Sequence, residues 1–235
     1  GPEISVLSFT DGKTVKPMIS SMDHKRIGEN DTGLNTGGMG TVAPNPYYTE
    51  EIAAECMEKI FLPTIAAMNA EGRTFKGCLY FGLMLTKKGP MVIEYNCRFG
   101  DPEAQVVLPL LESDLLTVMQ AVTEERLAET EVKFSEKNAC CVIIASDGYP
   151  QNYKKGFEIF IPEDLSDNVY VAGAIRKDEK LLTSGGRVLG ATAVMPTLSG
   201  AIEEAYHMVD RIKFEGAYCR RDIGKKALKA VEETR

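Results

Sequence analysis

The sequence predicts an α+β chain in two parts. Three features carry this: short strands followed by long helical stretches in the first half, a strand-rich second half, and a polar, charged run over 128–138 between them. Residues 1–130 and 131–235 are therefore expected to form two units. The 235 residues carry 27 Lys+Arg and 34 Asp+Glu, a net charge of −7, with 44% hydrophobic residues, enough apolar material for a core. An acidic chain lacks the dense cationic footprint that a nucleic-acid backbone requires. No run reaches the roughly 18 apolar residues of a membrane helix, and the N-terminus shows no export signal. A cytoplasmic location is the expectation.

Residues 3–10 alternate apolar and polar, Asp11-Gly12 is a turn signal, and 13–20 resume extended character, so a hairpin is predicted, with Pro17 on an edge. A long Gly-rich loop follows over 21–46. Thr49, with Glu50 and Glu51 behind it, opens a helix running to about residue 70, kinked or split at Pro63. Residues 77–86 and 91–96 read as paired strands around Lys87-Lys88-Gly89. Asp101-Pro102-Glu103 reads as a helix start with Asp101 as the cap, and a second helix begins at Ser113 or Asp114 and ends near Leu127. Strands are expected at 139–146, 157–161, 169–175, 180–183 and 187–195. An amphipathic helix through Ile202–Ile212 and a mixed-charge helix over 225–233 close the chain.

The six cysteines include no CxxC pair, and with two histidines they make no zinc pattern, so reduced thiols are expected. No GxSxG elbow is present for a serine nucleophile. His207 falls off the apolar helix face and is expected in solvent.

The sharpest cluster is Glu94-Tyr95-Asn96-Cys97-Arg98. In a strand, Glu94, Asn96 and Arg98 share one face. A carboxylate and an amide oxygen side by side suit Mg²⁺, and an arginine beyond them suits a phosphate or carboxylate. The same spacing also fits a strand face turned to water. A second cluster, Gly28 to Gly40, could cradle an anion with backbone N–H groups or be a plain surface loop, with Asp23-His24-Lys25-Arg26 just before it. The third, Thr183-Ser184-Gly185-Gly186-Arg187, fits a phosphate contact or a hairpin turn equally.

Read together, Asp23-His24-Lys25-Arg26, Asn35-Thr36-Gly37-Gly38-Met39-Gly40, Glu94-Tyr95-Asn96-Cys97-Arg98-Phe99-Gly100-Asp101-Pro102-Glu103, Gly185-Gly186-Arg187-Val188 and Tyr218-Cys219-Arg220-Arg221-Asp222-Ile223-Gly224 resemble the phosphoribosylamine–glycine ligases (glycinamide ribonucleotide synthetases) of purine biosynthesis. These are ATP-grasp enzymes. The resemblance implies the C-terminal part of an ATP-grasp fold over 1–130, an antiparallel sheet with helices, followed by a small strand-rich domain over 131–235.

The resemblance implies ATP-dependent joining of glycine to 5-phosphoribosylamine through a glycyl phosphate. It puts Mg²⁺ or Mn²⁺ on Glu94 and Asn96, and makes Arg98 the catalytic cation at the acyl phosphate. Asn35, Thr36, Gly38 and Asp101 would shape the substrate pocket, with Lys25 and Arg187 as phosphate contacts. Asp101 serving only as a helix cap remains the other reading.

The family's N-terminal part has no counterpart in the chain. The expectation is an inactive portion of a monomeric parent enzyme, self-associating through its uncovered lobe surface. Another ATP-grasp ligase or carboxylase, or a non-catalytic binding domain, is the competing expectation.

Overall fold

The computed structural model describes residues 1–233. Strand β1 (Glu3–Thr10) pairs antiparallel with β2 (Val15–Pro17) and, along its other edge, with β7 (Gly77–Thr86). Strand β8 (Gly89–Asn96) completes a sheet of order β2-β1-β7-β8. Pro17 thus sits on an edge strand, where its missing N–H breaks no ladder.

The alternation in β1 does not mark a wet face, because helices cover both sides of this sheet. Ile4 and Val6 pack with Ile60, Phe61 and Ile65 on one side. Leu7 and Phe9 pack with Val106, Leu110, Val118 and Leu127 on the other. Ser5, Ser8 and Thr10 are buried between these groups.

The first covering segment comprises α1 (Glu50–Cys56), a π-helical turn over Met57–Phe61, and α2 (Leu62–Ala70). Thr49 caps α1 by accepting from the Ile52 N–H at 3.4 Å. At Pro63 the helix widens rather than breaks. Leu62 N–H reaches back to Met57 O, which accommodates the proline ring near the first turn of α2. On the other face lie α3 (Ala104–Val107) and α4 (Leu115–Thr123), the latter capped by Asp114, which accepts from Thr117 N–H at 2.7 Å.

The second sheet has order β10-β13-β9-β6-β3, with β14 also paired to β9. Its members are β3 (Met22–Asp23), β6 (Gly40–Ala43), β9 (Asn138–Ser146), β10 (Val169–Val171), β13 (Arg187–Met195) and β14 (Ala217–Tyr218). Strand β9 is its spine. Cys140, Val142 and Ile144 face α5 (Leu198–Arg211), while Ala139, Cys141 and Ile143 face the core beneath the first sheet. Helix α6 (Lys225–Glu233) packs Ala227 into the same core as α5. Two strands from before the 128–138 run, β3 and β6, therefore belong to the second sheet. The stretch 21–46 is not one open loop but these strands plus a small hairpin, β4 (Arg26–Gly28) and β5 (Thr32–Asn35).

Three further expectations are corrected. The predicted strand over 157–161 makes only single bridges, Glu158 to Leu182 and Phe160 to Lys213, because its two sides meet different segments. The predicted strand over 169–175 divides at Gly173. Residues up to Val171 pair with β13, while β11 (Ala174–Lys177) pairs with β12 (Lys180–Thr183). A Cβ on Gly173 would lie 2.4 Å from Arg187 O, so the crossing requires glycine. Asp101 caps no helix: α3 begins at Ala104 after Glu103, and the Asp101 carboxylate accepts instead from Gln105 Nε2 at 3.0 Å.

Candidate active site

Strand β8 carries the row expected from its spacing. Asn96 Nδ2 donates to Glu94 Oε1 at 3.2 Å, and an Arg98 guanidinium nitrogen lies 3.4 Å from Asn96 Oδ1. Arg98 also donates to Phe99 O at 2.9 Å, which anchors its head near the strand end. Beneath the row, a Cβ on Gly82 of β7 would sit 2.9 Å from Glu94 Cγ, so glycine there lets the carboxylate lie down on the sheet. The Glu94 side chain is about half exposed (49%), leaving room for ligands from outside the chain. Two hard oxygen donors with open space beside them fit a divalent ion that keeps waters and takes its other ligands from phosphates. Among the described residues no group of three or more His, Cys, Asp or Glu could hold a metal by itself.

Lys25 joins this row to the Gly-rich segment. Its ammonium lies 3.9 Å from Glu94 Oε1 and 3.4 Å from Glu3 Oε2. Burial works against the charge, yet the Glu3, Glu94 and Asp23 carboxylates outweigh it and hold Lys25 above its usual value. Lys25 is a permanent cation here. The Lys25 carbonyl accepts from Thr36 N–H at 2.7 Å and from Thr36 Oγ1 at 2.8 Å. Thr36 Oγ1 in turn accepts from Gly38 N–H at 2.9 Å. Thr36 is thus a fastener of the turn, and Asn35 lines a cavity of about 650 Å³ together with Lys25, Asp23 and Glu3.

Gly38 adopts φ +111°, and a Cβ there would lie 2.5 Å from Pro102 Cδ and 2.7 Å from Asp23 Oδ1. The turn can lie on Asp23 only because Gly38 has no side chain. Arg187, offered by the sequence as a phosphate contact, holds this turn from behind. Its Nη1 donates to Gly37 O at 2.8 Å and Asp101 O at 2.8 Å, and lies 3.2 Å from the Asp101 carboxylate. The Gly37 N–H donates to the Tyr149 hydroxyl at 3.0 Å. Ser184-Gly185-Gly186 is packed rather than open, since a Cβ on Gly186 would meet the Tyr149 ring at 2.1 Å.

The row on β8, the glycine turn and the 101–103 segment therefore converge, and the family comparison agrees. Residues 1–104 match the model of the phosphoribosylglycinamide synthetase ATP-grasp (A) domain, and residues 139–226 match the phosphoribosylglycinamide synthetase C domain. The chain belongs to this family.

Within the phosphoribosylglycinamide synthetases, the phosphoribosylamine–glycine ligase of Clostridium acetobutylicum is 48% identical over 225 residues, covering 96% of this chain and 54% of that protein. A crystal structure of the Thermotoga maritima phosphoribosylamine–glycine ligase superposes with a TM-score of 0.87 at 34% identity, over 95% of this chain and 56% of that one. The chain spans about half the length of the curated relatives it matches. A biotin carboxylase domain from Hydrogenobacter thermophilus shares the fold alone, with a TM-score of 0.60 at 13% identity.

Several residues at this site had no role assigned from sequence. Glu103 is buried, with its Oε1 accepting from Tyr80 Oη at 3.2 Å and Ser5 Oγ at 3.4 Å. Burial pushes its carboxyl up, and burial together with the Glu103 charge pushes that of Asp23 well up. The signal was available for neither: each reads as an ordinary acid until the fold places both beneath one turn.

His24 is buried (3% exposed), with Nδ1 3.0 Å from Gly40 O, while Nε2 accepts from Gly224 N–H at 3.2 Å. It is therefore a neutral Nδ1–H tautomer. Arg220, fully buried, donates to both Asp222 oxygens at 2.8 Å, to Asp31 Oδ1 at 3.0 Å and to Arg26 O at 2.9 Å, clamping the β4–β5 hairpin to the C-terminal segment. His207 lies in solvent as expected, and all six cysteines are free thiols. No helix among the described residues is long and apolar enough to cross a membrane.

Proposed function

We propose that the chain forms the metal-binding and acyl-transfer part of a phosphoribosylamine–glycine ligase. That enzyme would join glycine to 5-phosphoribosylamine while ATP becomes ADP and phosphate. The observation that carries this reading is the row Glu94, Asn96 and Arg98 tied through Lys25 to the Asn35–Gly38 turn.

Glu94 and Asn96 would hold Mg²⁺ or Mn²⁺, which when bound neutralises charge on the transferring phosphoryl group. Lys25, a permanent cation beside Glu94, would contact an ATP phosphate. Arg98 would hold the oxygens of glycyl phosphate and the oxyanion that forms when the amine attacks, a preorganised cation needing little rearrangement. Asn35 and the backbone at Thr36 and Gly38 would line the glycine and ribosylamine pocket. Asp101 and Arg187 would act there through the turn they hold.

Residues 1–130 would be the C-terminal lobe of the ATP-grasp domain, lending β3 and β6 to the sheet of a C-terminal unit over 131–235. The whole enzyme is read as a cytoplasmic monomer. The isolated chain is read as inactive and self-associating through exposed Met91, Ile93 and Tyr95 on β8.

The test joins this chain to the N-terminal part of the Clostridium acetobutylicum relative and measures ADP release that depends on both glycine and phosphoribosylamine. Expected are turnover by the hybrid, its loss in Glu94→Gln, and none from the chain alone. A hybrid without glycine-dependent ADP release, or full activity in Glu94→Gln, would refute the reading.

A further inference from the structure

Amide formation from an acyl phosphate leaves a proton that must go somewhere. As the amine lone pair attacks the carbonyl carbon, a C–N bond forms. The C–O bond to phosphate then breaks, phosphate departs with its electron pair, and the nitrogen must shed one proton. Without an acceptor the adduct collapses back toward the free amine.

Six acids lie in or beside the site. Glu94 is committed to the metal pair. Asp101 is held by Arg187 at 3.2 Å. Asp31 is bound by Arg220 at 3.0 Å and by Lys226; burial opposes its charge, but those two cations hold its carboxyl low, making it a poor proton acceptor. Glu3 lines the cavity but is paired with Lys25 at 3.4 Å and close to half exposed. Glu103 is occupied by Tyr80 and Ser5 and does not line the cavity. His24, the ordinary choice for such a role, has both ring nitrogens engaged with backbone groups.

Asp23 remains. It lines the cavity of about 650 Å³, which Lys25 also lines, and forms no ion pair within 4 Å among the described residues. Its Oδ1 accepts from His24 N–H at 2.7 Å, and Oδ2 has no hydrogen-bond donor among the described residues. The Gly38 turn lies against it so closely that a Cβ would sit 2.7 Å from Oδ1, and this is the turn read as shaping the ribosylamine pocket. The carboxylate is thus fixed by one oxygen and open by the other.

Its surroundings suit proton acceptance. Burial and the Glu103 carboxylate raise its proton affinity, while Lys25 and Arg187 moderate it; Tyr80 of β7 and Cys141 of β9 also face it. A carboxylate of ordinary affinity would be a weak base near neutral pH, and the direction of this shift makes Asp23 the stronger acceptor.

We propose that the free oxygen of Asp23 takes the proton that the ribosylamine nitrogen releases as the amide bond forms. The proposal rests on the ligase reading above, and the assay separates the two. The hybrid enzyme is supplied with ATP and glycine and, as nucleophile, either phosphoribosylamine or hydroxylamine, a strong nucleophile that traps the glycyl phosphate as hydroxamate.

Asp23→Asn, which keeps the shape and the His24 contact, is expected to lower ribosylamine-dependent amide formation by about 10²–10⁴-fold. Hydroxamate formation should stay within about twofold. In a second measurement, Glu103→Gln removes the neighbouring charge and is expected to move the acidic limb of kcat for amide formation to lower pH.

Amide formation retained in Asp23→Asn overturns the proposal. So does a parallel loss of both products, which marks a merely structural residue, or an acidic limb that Glu103→Gln leaves in place. If the unsubstituted hybrid makes neither hydroxamate nor amide, the ligase reading itself has failed.

Discussion

His24 sets a pH limit on the fold that can be worked out from its surroundings. The imidazole is packed between β3 and the start of the C-terminal helix, donating from Nδ1 to Gly40 O and accepting at Nε2 from Gly224 N–H. A proton added at Nε2 would face that N–H head on. Burial, and then the nearby Arg220 charge, lower its pKa from 6.5 to about 4. In the unfolded chain the ring regains its ordinary affinity, so between about pH 6.5 and 4 the unfolded state binds more protons than the folded one. Stability must then fall as pH falls through that window.

A shift of about 2.5 pKa units at 1.36 kcal/mol each gives about 3 kcal/mol lost by pH 4, and roughly 2 kcal/mol by pH 5. Asp23 and Glu103 act in the opposite sense. Their raised affinities favour the folded state at low pH and lose that contribution as pH rises, so the whole-chain curve mixes the effects. The comparison that isolates His24 is between the native chain and His24→Gln, each unfolded in urea at several pH values from 8 to 5. The glutamine variant is expected to be less stable at pH 8, and the gap should shrink by roughly 2 kcal/mol by pH 5. A gap that stays constant across this range, or an imidazole that titrates near its ordinary value by NMR, would refute the reasoning.

Three further outcomes follow from the packing. Arg220→Ala leaves Asp222 and Asp31 without their buried partner and should cost about 3–5 kcal/mol, with faster amide hydrogen exchange in residues 26–35 as the hairpin loosens. Unchanged exchange there would separate Arg220 from the hairpin. Gly82→Ala drives a methyl against Glu94 Cγ and should weaken Mn²⁺ binding by the hybrid on the order of tenfold, read by electron paramagnetic resonance. Phe81→Ala empties the space beside Phe61, whose ring centroid is 4.3 Å away, and should destabilise the chain by about 3–5 kcal/mol in urea; less than 1 kcal/mol would mean the core is not closed there.

Local signals were legible where they rest on local physics. The hairpin at Asp11-Gly12, the caps at Thr49 and Asp114, the β7–β8 pair and the row Glu94, Asn96, Arg98 all follow from turn chemistry, capping and a period of two. The misread strands at 157–161 and 169–175 have the right composition. Their fate depended on which neighbours came alongside, and only the fold supplies that. Arg187 is the instructive residue at the site. A glycine pair before an arginine suggests an anion, but the fold also gives the guanidinium a structural task, with Nη1 donating to the Gly37 and Asp101 carbonyls more than eighty residues away.

The sequence by itself determined the class of the fold, the shared face of Glu94, Asn96 and Arg98 on β8 and, through its ordered motifs, the family. Each of these is written within a few consecutive residues, where strand periodicity and side-chain type act without help. The tertiary structure decided which charges remain charged. Asp23 and Glu103 lie under one turn, His24 is held neutral, and Arg220 spans nearly two hundred residues to reach Asp31. Proton affinity depends on burial and on charges a few ångströms away, and those distances are fixed only when remote segments pack together.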